Sequence, residues 1–178
     1  MDIDQFIVDC KVALNDGIPT KAVREVVAHA VSDERAAIKA LGIPQQGGVQ
    51  KIYVSDELTI LNIVWAPGLE IMPHNHNMWA VIGIYSGRED NVFWRRLKDD
   101  GKGRIEEAGA KSLGPTDVTT LGKNIIHSVS NPTSGFTGAI HVYGGDFFKM
   151  HRSEWDIHAL EEQPYDIEKN MKLFEAAN

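Results

Sequence analysis

The pattern of apolar and polar positions changes character near residue 50. Before it, apolar side chains recur at helical spacing: Ile3, Phe6, Ile7, Cys10 and Leu14 form one stripe over 3–15, and Ala22, Val23, Val26, Val27 and Ala30 form another over 20–31. Thr20 is placed to cap the second helix, and Pro19 separates the two. A third, short helix is expected from Asp33 to Ala40, stopped by Gly42 and Pro44, with Gln45-Gln46-Gly47-Gly48 leading out of the helical part. Between Lys51 and Phe148 the chain becomes a series of short β-rich runs broken by Gly, Pro, Asn and Asp: Leu58–Trp65, Trp79–Tyr85, Asn91–Arg96, Thr116–Thr120, Ile125–Val129 and Gly138–Tyr143. Many short strands at near-regular intervals predict an antiparallel jelly-roll sandwich or barrel, which encloses a cavity, and not a parallel α/β sheet. From Asp166 to Ala177 the residues Ile167, Met171, Leu173 and Phe174 predict an amphipathic helix lying on the barrel's outside. No repeat or low-complexity tract interrupts this order.

Composition narrows the picture. A chain of 178 residues with 43% hydrophobic content is long enough for one well-buried core and short for two. A single domain, 1–178, is therefore expected, with a helical extension over 1–48, a barrel over 49–152 and a tail with a helix over 153–178. Cys10 is the only cysteine, which excludes an internal disulfide. With neither a signal pattern nor a long apolar span, a reducing cytoplasm is the expected location. A net charge of −7 with scattered Lys and Arg argues against nucleic acid and against an anionic membrane surface.

The candidate chemistry sits in Pro73-His74-Asn75-His76 and in a lone His127 about fifty residues further on. Histidines at i and i+2 of a strand point to one face, so both imidazoles can reach one ion while Asn75 faces away. Neutral imidazole is the commonest side-chain ligand for Zn, Fe, Cu and Ni. A bare pair of this kind also reads as two surface histidines near a turn, so the surroundings decide.

Those surroundings have the spacing of the first cupin motif: Gly68, five residues, His74-Asn75-His76, three residues, Ala80, six residues and Gly87, with Ala80 where that motif has glutamate. The second motif is present in part as His127, three residues and Asn131, with Asn124 in place of its usual glycine and Gly122 in place of its usual proline. Ile140-His141-Val142-Tyr143 further resembles the cysteine dioxygenase family, the cupins with three histidines and no carboxylate. That family has Ser-x-His-x-Tyr, and Ala139 stands at the serine. The likeness covers residues 51 to 152, is strongest over Pro73–Gly87 and Ala139–Arg152, and extends in Trp79-Ala80-Val81-Ile82-Gly83 to bacterial members, including the 3-mercaptopropionate dioxygenases.

The resemblance implies a cupin double-stranded β-helix, all-β at its core, with a helical N-terminal extension and a C-terminal helix. It also implies an iron(II) site of His74, His76 and His127, with Tyr143 and His141 as catalytic groups. Tyr143 would donate a hydrogen bond to bound oxygen or substrate, and His141 would orient it. Tyr53-Val54-Ser55 lacks the arginine that holds the amino-acid carboxylate in cysteine dioxygenases proper, which weakens free cysteine as substrate. Arg152, nine residues beyond Tyr143, matches the arginine of the mercaptopropionate-type members and would bind the carboxylate. On composition alone it belongs to the polar run His151-Arg152-Ser153-Glu154 and reads as a surface residue. Arg88, Arg95 and Arg96 are the other candidates. No cysteine stands at Ala80 or Val81 to crosslink Tyr143.

The implied reaction is conversion of a small thiol, such as 3-mercaptopropionate or cysteine, to its sulfinate with dioxygen. Three neutral histidines serve Zn or Ni equally well, so a hydrolase, an isomerase or a non-catalytic ligand sensor is the alternative. His141 could equally be a fourth ligand or a core histidine, and Tyr143 a core aromatic. His29, His151 and His158 have no ligand partner at useful spacing. A homodimer is compatible with the resemblance, although the sequence marks no interface.

Overall fold

In the computed structural model, which describes residues 1–177, the N-terminal stripes form α1 (Ile3–Ala13), α2 (Pro19–Val31) and α3 (Glu34–Leu41). Asp2 caps α1 by accepting from the Gln5 amide, and Asp33 caps α3 by accepting from that of Ala36. Thr20 is not the cap of α2. Pro19 occupies the first helical position, where its fixed φ is already helical, and Ile18 stands at the N-cap without a side-chain bond.

Eleven strands follow: β1 (Gly48–Val54), β2 (Thr59–Trp65), β3 (Glu70–Asn75), β4 (Ala80–Ser86), β5 (Glu89–Arg96), β6 (Ile105–Leu113), β7 (Val118–Leu121), β8 (Ile126–Ser130), β9 (Thr137–Tyr143), β10 (Ser153–Trp155) and β11 (Glu162–Pro164). All six expected runs are strands, with ends displaced by at most two residues. β1, β3, β6, β10 and β11 are additional, and the last four have a reason to be inconspicuous. β6 carries Glu106, Glu107 and Lys111 and is exposed from end to end between Ile105 and Leu113, as suits a charged edge strand. β3 contains a proline, and β10 and β11 are three residues each.

The strands divide into two antiparallel sheets, β1-β2-β9-β4-β7 and β11-β10-β3-β8-β5-β6. Within them β2-β9-β4-β7 faces β3-β8-β5-β6, the strand order of an eight-stranded jelly roll. The fold is thus a double-stranded β-helix with helices at both ends.

Alternation along the strands sorts the two faces of the five-stranded sheet. Leu61, Ile63, Trp65, Ala80, Ile82, Ile84, Ala139 and Tyr143 belong to the core between the sheets. Ile60, Val81, Tyr85, Ile140 and Val142 face outward, where Phe6, Cys10, Val23, Val27 and Val31 of the helices cover them. Because helices bury the outer face too, Ala80–Tyr85 reads as an unbroken apolar run. Gly83 permits the approach of α2: a Cβ there would lie 2.5 Å from a Val27 methyl.

The expected C-terminal helix forms as α4 (Ile167–Ala176), capped by Asp166, but it does not lie on the outside of the barrel. Phe174 enters the inter-sheet core and packs on Trp65 with ring centroids 5.0 Å apart. Glu154 of β10 ties the helix down, accepting from Asn170 Nδ2 at 2.8 Å and pairing with Lys169. α4 therefore closes one mouth of the barrel. Among the described residues, no helix is long and apolar enough to cross a membrane.

Candidate metal centre

His74 lies on β3 directly opposite His127 on β8, so the ladder register alone makes them neighbours. His76 follows the end of β3 by one residue and turns back to the same place, with Asn77 beyond it at φ 53°. His74 Nε2 and His76 Nε2 are 3.2 Å apart, His127 Nε2 and His76 Nε2 3.5 Å, and all three ligand atoms lie within 4.8 Å of one another. Ligand bonds of about 2.1 Å at angles between octahedral and tetrahedral require nitrogens about 3.0 to 3.4 Å apart, so these separations suit one transition-metal ion.

Proton placement agrees with that use. His74 Nδ1 donates to the Met72 carbonyl at 2.9 Å, and His127 Nδ1 donates to Asn91 Oδ1 at 2.7 Å. Both rings then present Nε2 as a lone pair toward His76. Burial pushes His74 down to about 4, with its bond to Met72 opposing part of the effect, and holds His76 and His127 well below the usual histidine range. Proximity of the rings to one another reinforces the shift in His76 and His127. The set is neutral near pH 7, the form that binds a metal. Asn75 faces away from the cluster and accepts from the Ser153 amide at 2.9 Å.

The opposite wall comes from β9. His141 and Tyr143 both point inward, His141 Nδ1 lies 3.0 Å from the Tyr143 hydroxyl, and the Tyr143 ring meets His76 edge-on with centroids 5.0 Å apart. Burial keeps Tyr143 protonated by raising its phenol above the usual tyrosine range. His141 is separate from the three-histidine group. Between the walls is a cavity of about 40 Å³ that touches all three histidines, His141, Tyr143 and Phe147. Room for a few water-sized groups suits a small guest.

Arg152 is buried, contrary to its composition-based reading. Its guanidinium is stacked between Phe147 and Tyr165 at 4.0 and 4.1 Å from the ring centroids. Both rings line the cavity. Nη1 donates to the carbonyls of Phe147 and Met150, while Nε and Nη2 are buried without an acceptor. Arg152 itself does not line the cavity and meets it through these two rings, while its Nε/Nη2 edge has the shape that suits a carboxylate. The other arginines are elsewhere: Arg88 pairs with Asp90, Arg95 with Glu106 and Arg96 with Glu162, all at the surface. His29, His151 and His158 are not buried and stand apart from the cluster.

Two buried polar neighbours of the site escaped the sequence reading. Glu89 and Asn91, on the inward face of β5, are 0% and 1% exposed and link His141 to His127 by hydrogen bonds. Glu89 falls in the charged stretch Arg88-Glu89-Asp90, which looks like a turn. The available signal was the i, i+2 spacing of two polar residues leading into a strand.

No protein-family model matches the chain. Among solved structures, it is similar to an RmlC-like cupin family protein from Methanocaldococcus jannaschii at 15% identity, over 61% of this chain and 87% of that one, with a TM-score of 0.48. A cupin superfamily protein from Desulfitobacterium hafniense is similar at 18% identity, over 59% and 83%, with a TM-score of 0.45. Oxalate decarboxylase from Bacillus subtilis is similar at 18% identity over 57% of this chain, which spans about a quarter (26%) of that longer protein, with a TM-score of 0.44. The strand order itself makes the fold a cupin-type double-stranded β-helix. Its core carries three histidines able to hold a metal ion.

Proposed function

We propose that this chain is a non-haem iron(II) thiol dioxygenase acting on a small mercapto acid, with 3-mercaptopropionate the first candidate and cysteine the second. A thiol and dioxygen give a sulfinate and a proton, both oxygen atoms ending on sulfur. The observation that carries the reading is the pairing of the three-histidine cluster with a buried arginine whose Nε and Nη2 lack acceptors.

Iron(II) held by His74, His76 and His127 would supply coordination of the thiolate and activation of dioxygen, and the neutral ligand set favours an anionic guest. The chain's own groups do the rest. Arg152 binds the carboxylate at the far end of the substrate. Phe147 and Tyr165 fix the plane of its guanidinium, so little side-chain freedom remains to be lost on binding. Tyr143, kept as a phenol beside His76 and held by His141, would offer its hydroxyl to the substrate or oxygen. α4 and the apolar lining exclude water, which strengthens each polar contact inside. Holding both reactants in one oriented site replaces a bimolecular encounter.

The test is oxygen uptake by anaerobically iron-loaded protein with 3-mercaptopropionate, cysteine, cysteamine and 2-mercaptoethanol, with metal content measured alongside. Stoichiometric uptake with a carboxylated thiol is expected. No uptake with any thiol, together with tightly held zinc or nickel, would replace the reading by a hydrolase, isomerase or sensor.

A further inference from the structure

An unbroken thread of hydrogen bonds crosses the core from the histidine cluster to Tyr143. His127 Nδ1 donates to Asn91 Oδ1 at 2.7 Å, and Asn91 Nδ2 donates to Glu89 Oε1 at 3.0 Å. The other carboxylate oxygen, Oε2, lies 3.3 Å from His141 Nε2, and His141 Nδ1 is 3.0 Å from the Tyr143 hydroxyl. All five side chains are buried, and the only ion-pair partner of Glu89 among the described residues is His141. A carboxylate taken into a core without Lys or Arg costs several kcal/mol (roughly) beyond what an apolar residue of its size would. Packing does not account for Glu89.

Its placement is specific. Gly87 carries the chain from β4 to β5 in a left-handed turn, φ 77°, where a Cβ would strike Thr137, and this delivers Glu89 between the sheets. Ala139, two residues before His141 on the same inward face, offers His141 no polar atom. The carboxylate is the partner of His141 Nε2 instead.

We propose that Glu89 is a positioning residue that fixes the tautomers of both His127 and His141, directing a lone pair of His127 at the metal and His141 Nδ1 at Tyr143. A carboxylate only accepts. Asn91 must therefore turn its NH2 to Glu89 and its oxygen to His127, which places the His127 proton on Nδ1 and leaves Nε2 free. On the other arm, Oε2 requires a proton on His141 Nε2. The metal-side arm holds whatever the reaction is, and the Tyr143 arm rests on the proposed dioxygenase reading.

Glu89→Gln keeps shape and volume but gives one accepting and one donating end, so one arm must reverse. If its NH2 faces His141, the proton leaves His141 Nε2. If its NH2 faces Asn91, Asn91 flips, and the His127 proton moves from Nδ1 to Nε2. The double variant Glu89→Gln with Asn91→Asp restores the original proton positions on both histidines, because the carboxylate placed at position 91 accepts both from the amide placed at position 89 and from His127. The oxygen of that amide then stays turned to His141. A residue serving only to fill space predicts no such rescue.

The experiment is a two-bond proton–nitrogen correlation spectrum of the metal-free protein labelled in histidine, which reads the protonated nitrogen of each ring, followed by Co(II) titration against a chelator. Expected are Nδ1–H on His127 and Nε2–H on His141 in the native chain, one of them reversed in Glu89→Gln, and both restored in the double variant. Where His127 reverses, Co(II) affinity should fall about 10- to 100-fold. Where His141 reverses, Co(II) affinity should hold, and kcat for the thiol should fall at least tenfold (an order-of-magnitude expectation for a lost acid–base group) with KM unchanged. Unchanged tautomers in Glu89→Gln, or no recovery in the double variant, would overturn the assignment. If Glu89→Gln alone does not fold, restored folding and Co(II) affinity in the double variant carry the proposal, and failure of both overturns it. The tautomer readout stands even if no thiol is a substrate.

Discussion

Replacing Arg152 by methionine separates substrate binding from everything else the residue does. Methionine keeps apolar bulk between Phe147 and Tyr165 and deletes the guanidinium with its charge and N–H groups. For a carboxylated thiol the loss is a buried, charge-assisted contact, about 2 to 5 kcal/mol, which at 1.4 kcal/mol per decade is about 30- to 4,000-fold in kcat/KM. The effect should fall mainly on KM, because the carboxylate is gripped equally in ground and transition states. 2-Mercaptoethanol has no carboxylate and should change by less than about threefold (an order-of-magnitude allowance for repacking). Stability should move little. The variant forfeits the Nη1 bond to the Phe147 carbonyl and two stacking contacts, together about 2 to 3 kcal/mol, but also removes two buried N–H groups without acceptors, each of which costs about 1 to 3 kcal/mol. Oxygen-uptake kinetics on both thiols, with thermal melts as the control, give the answer. A parallel fall for the two substrates would refute the role of Arg152.

Other outcomes follow from the same structure. His127→Ala should abolish both metal binding and turnover, whereas Tyr143→Phe should keep the metal and lose most of the rate, as metal analysis and initial rates will show. Gly83→Ala drives a methyl against Val27 and should cost about 1 to 3 kcal/mol in chemical denaturation. Phe174→Ala removes the ring packed on Trp65 and should cost about 3 to 5 kcal/mol while raising the exposure of the cavity, read by denaturation and tryptophan fluorescence. Burial, helped by Asp9, pushes the Cys10 thiol up to about 12, so native protein should not react with a thiol reagent at pH 8. Because the folded thiol titrates later than the unfolded one, near 9, its contribution to stability is complete below pH 9 and is lost as pH climbs toward 12. Cys10→Ala should flatten that part of the pH–stability curve.

The jelly roll was legible because short β-rich runs recur at near-regular intervals and its turns are marked by Gly, Asn and Asp. The three histidines were legible because i, i+2 spacing brings two of them together, while the family-like spacing supplied the third. What stayed hidden was hidden for physical reasons. β6 is polar because both its edge and its face meet solvent, so it carries no hydrophobic period. α4 looks amphipathic whether its apolar stripe rests on the outside of a barrel or plugs its end, and only Phe174 entering the core decides. Glu89 and Arg152 are charged residues in charged surroundings along the chain, and only tertiary packing brings them inside.

The two halves of the site stand on sheets that differ in how deeply they are buried. β4 and β9, the second of which holds His141 and Tyr143, are covered on one side by the barrel interior and on the other by α1, α2 and α3, and every residue of β9 is buried. Their amide protons should be among the last in the molecule to exchange with deuterium, at rates set by global unfolding. β5, by contrast, is buried at Glu89 and Asn91 but half-buried or exposed over Val92–Arg96, and its neighbour β6 is open to water. Exchange there should proceed through local opening. Guest molecules would then be admitted by fluctuations of the sheet that bears the three histidines, against a wall that keeps the tyrosine still.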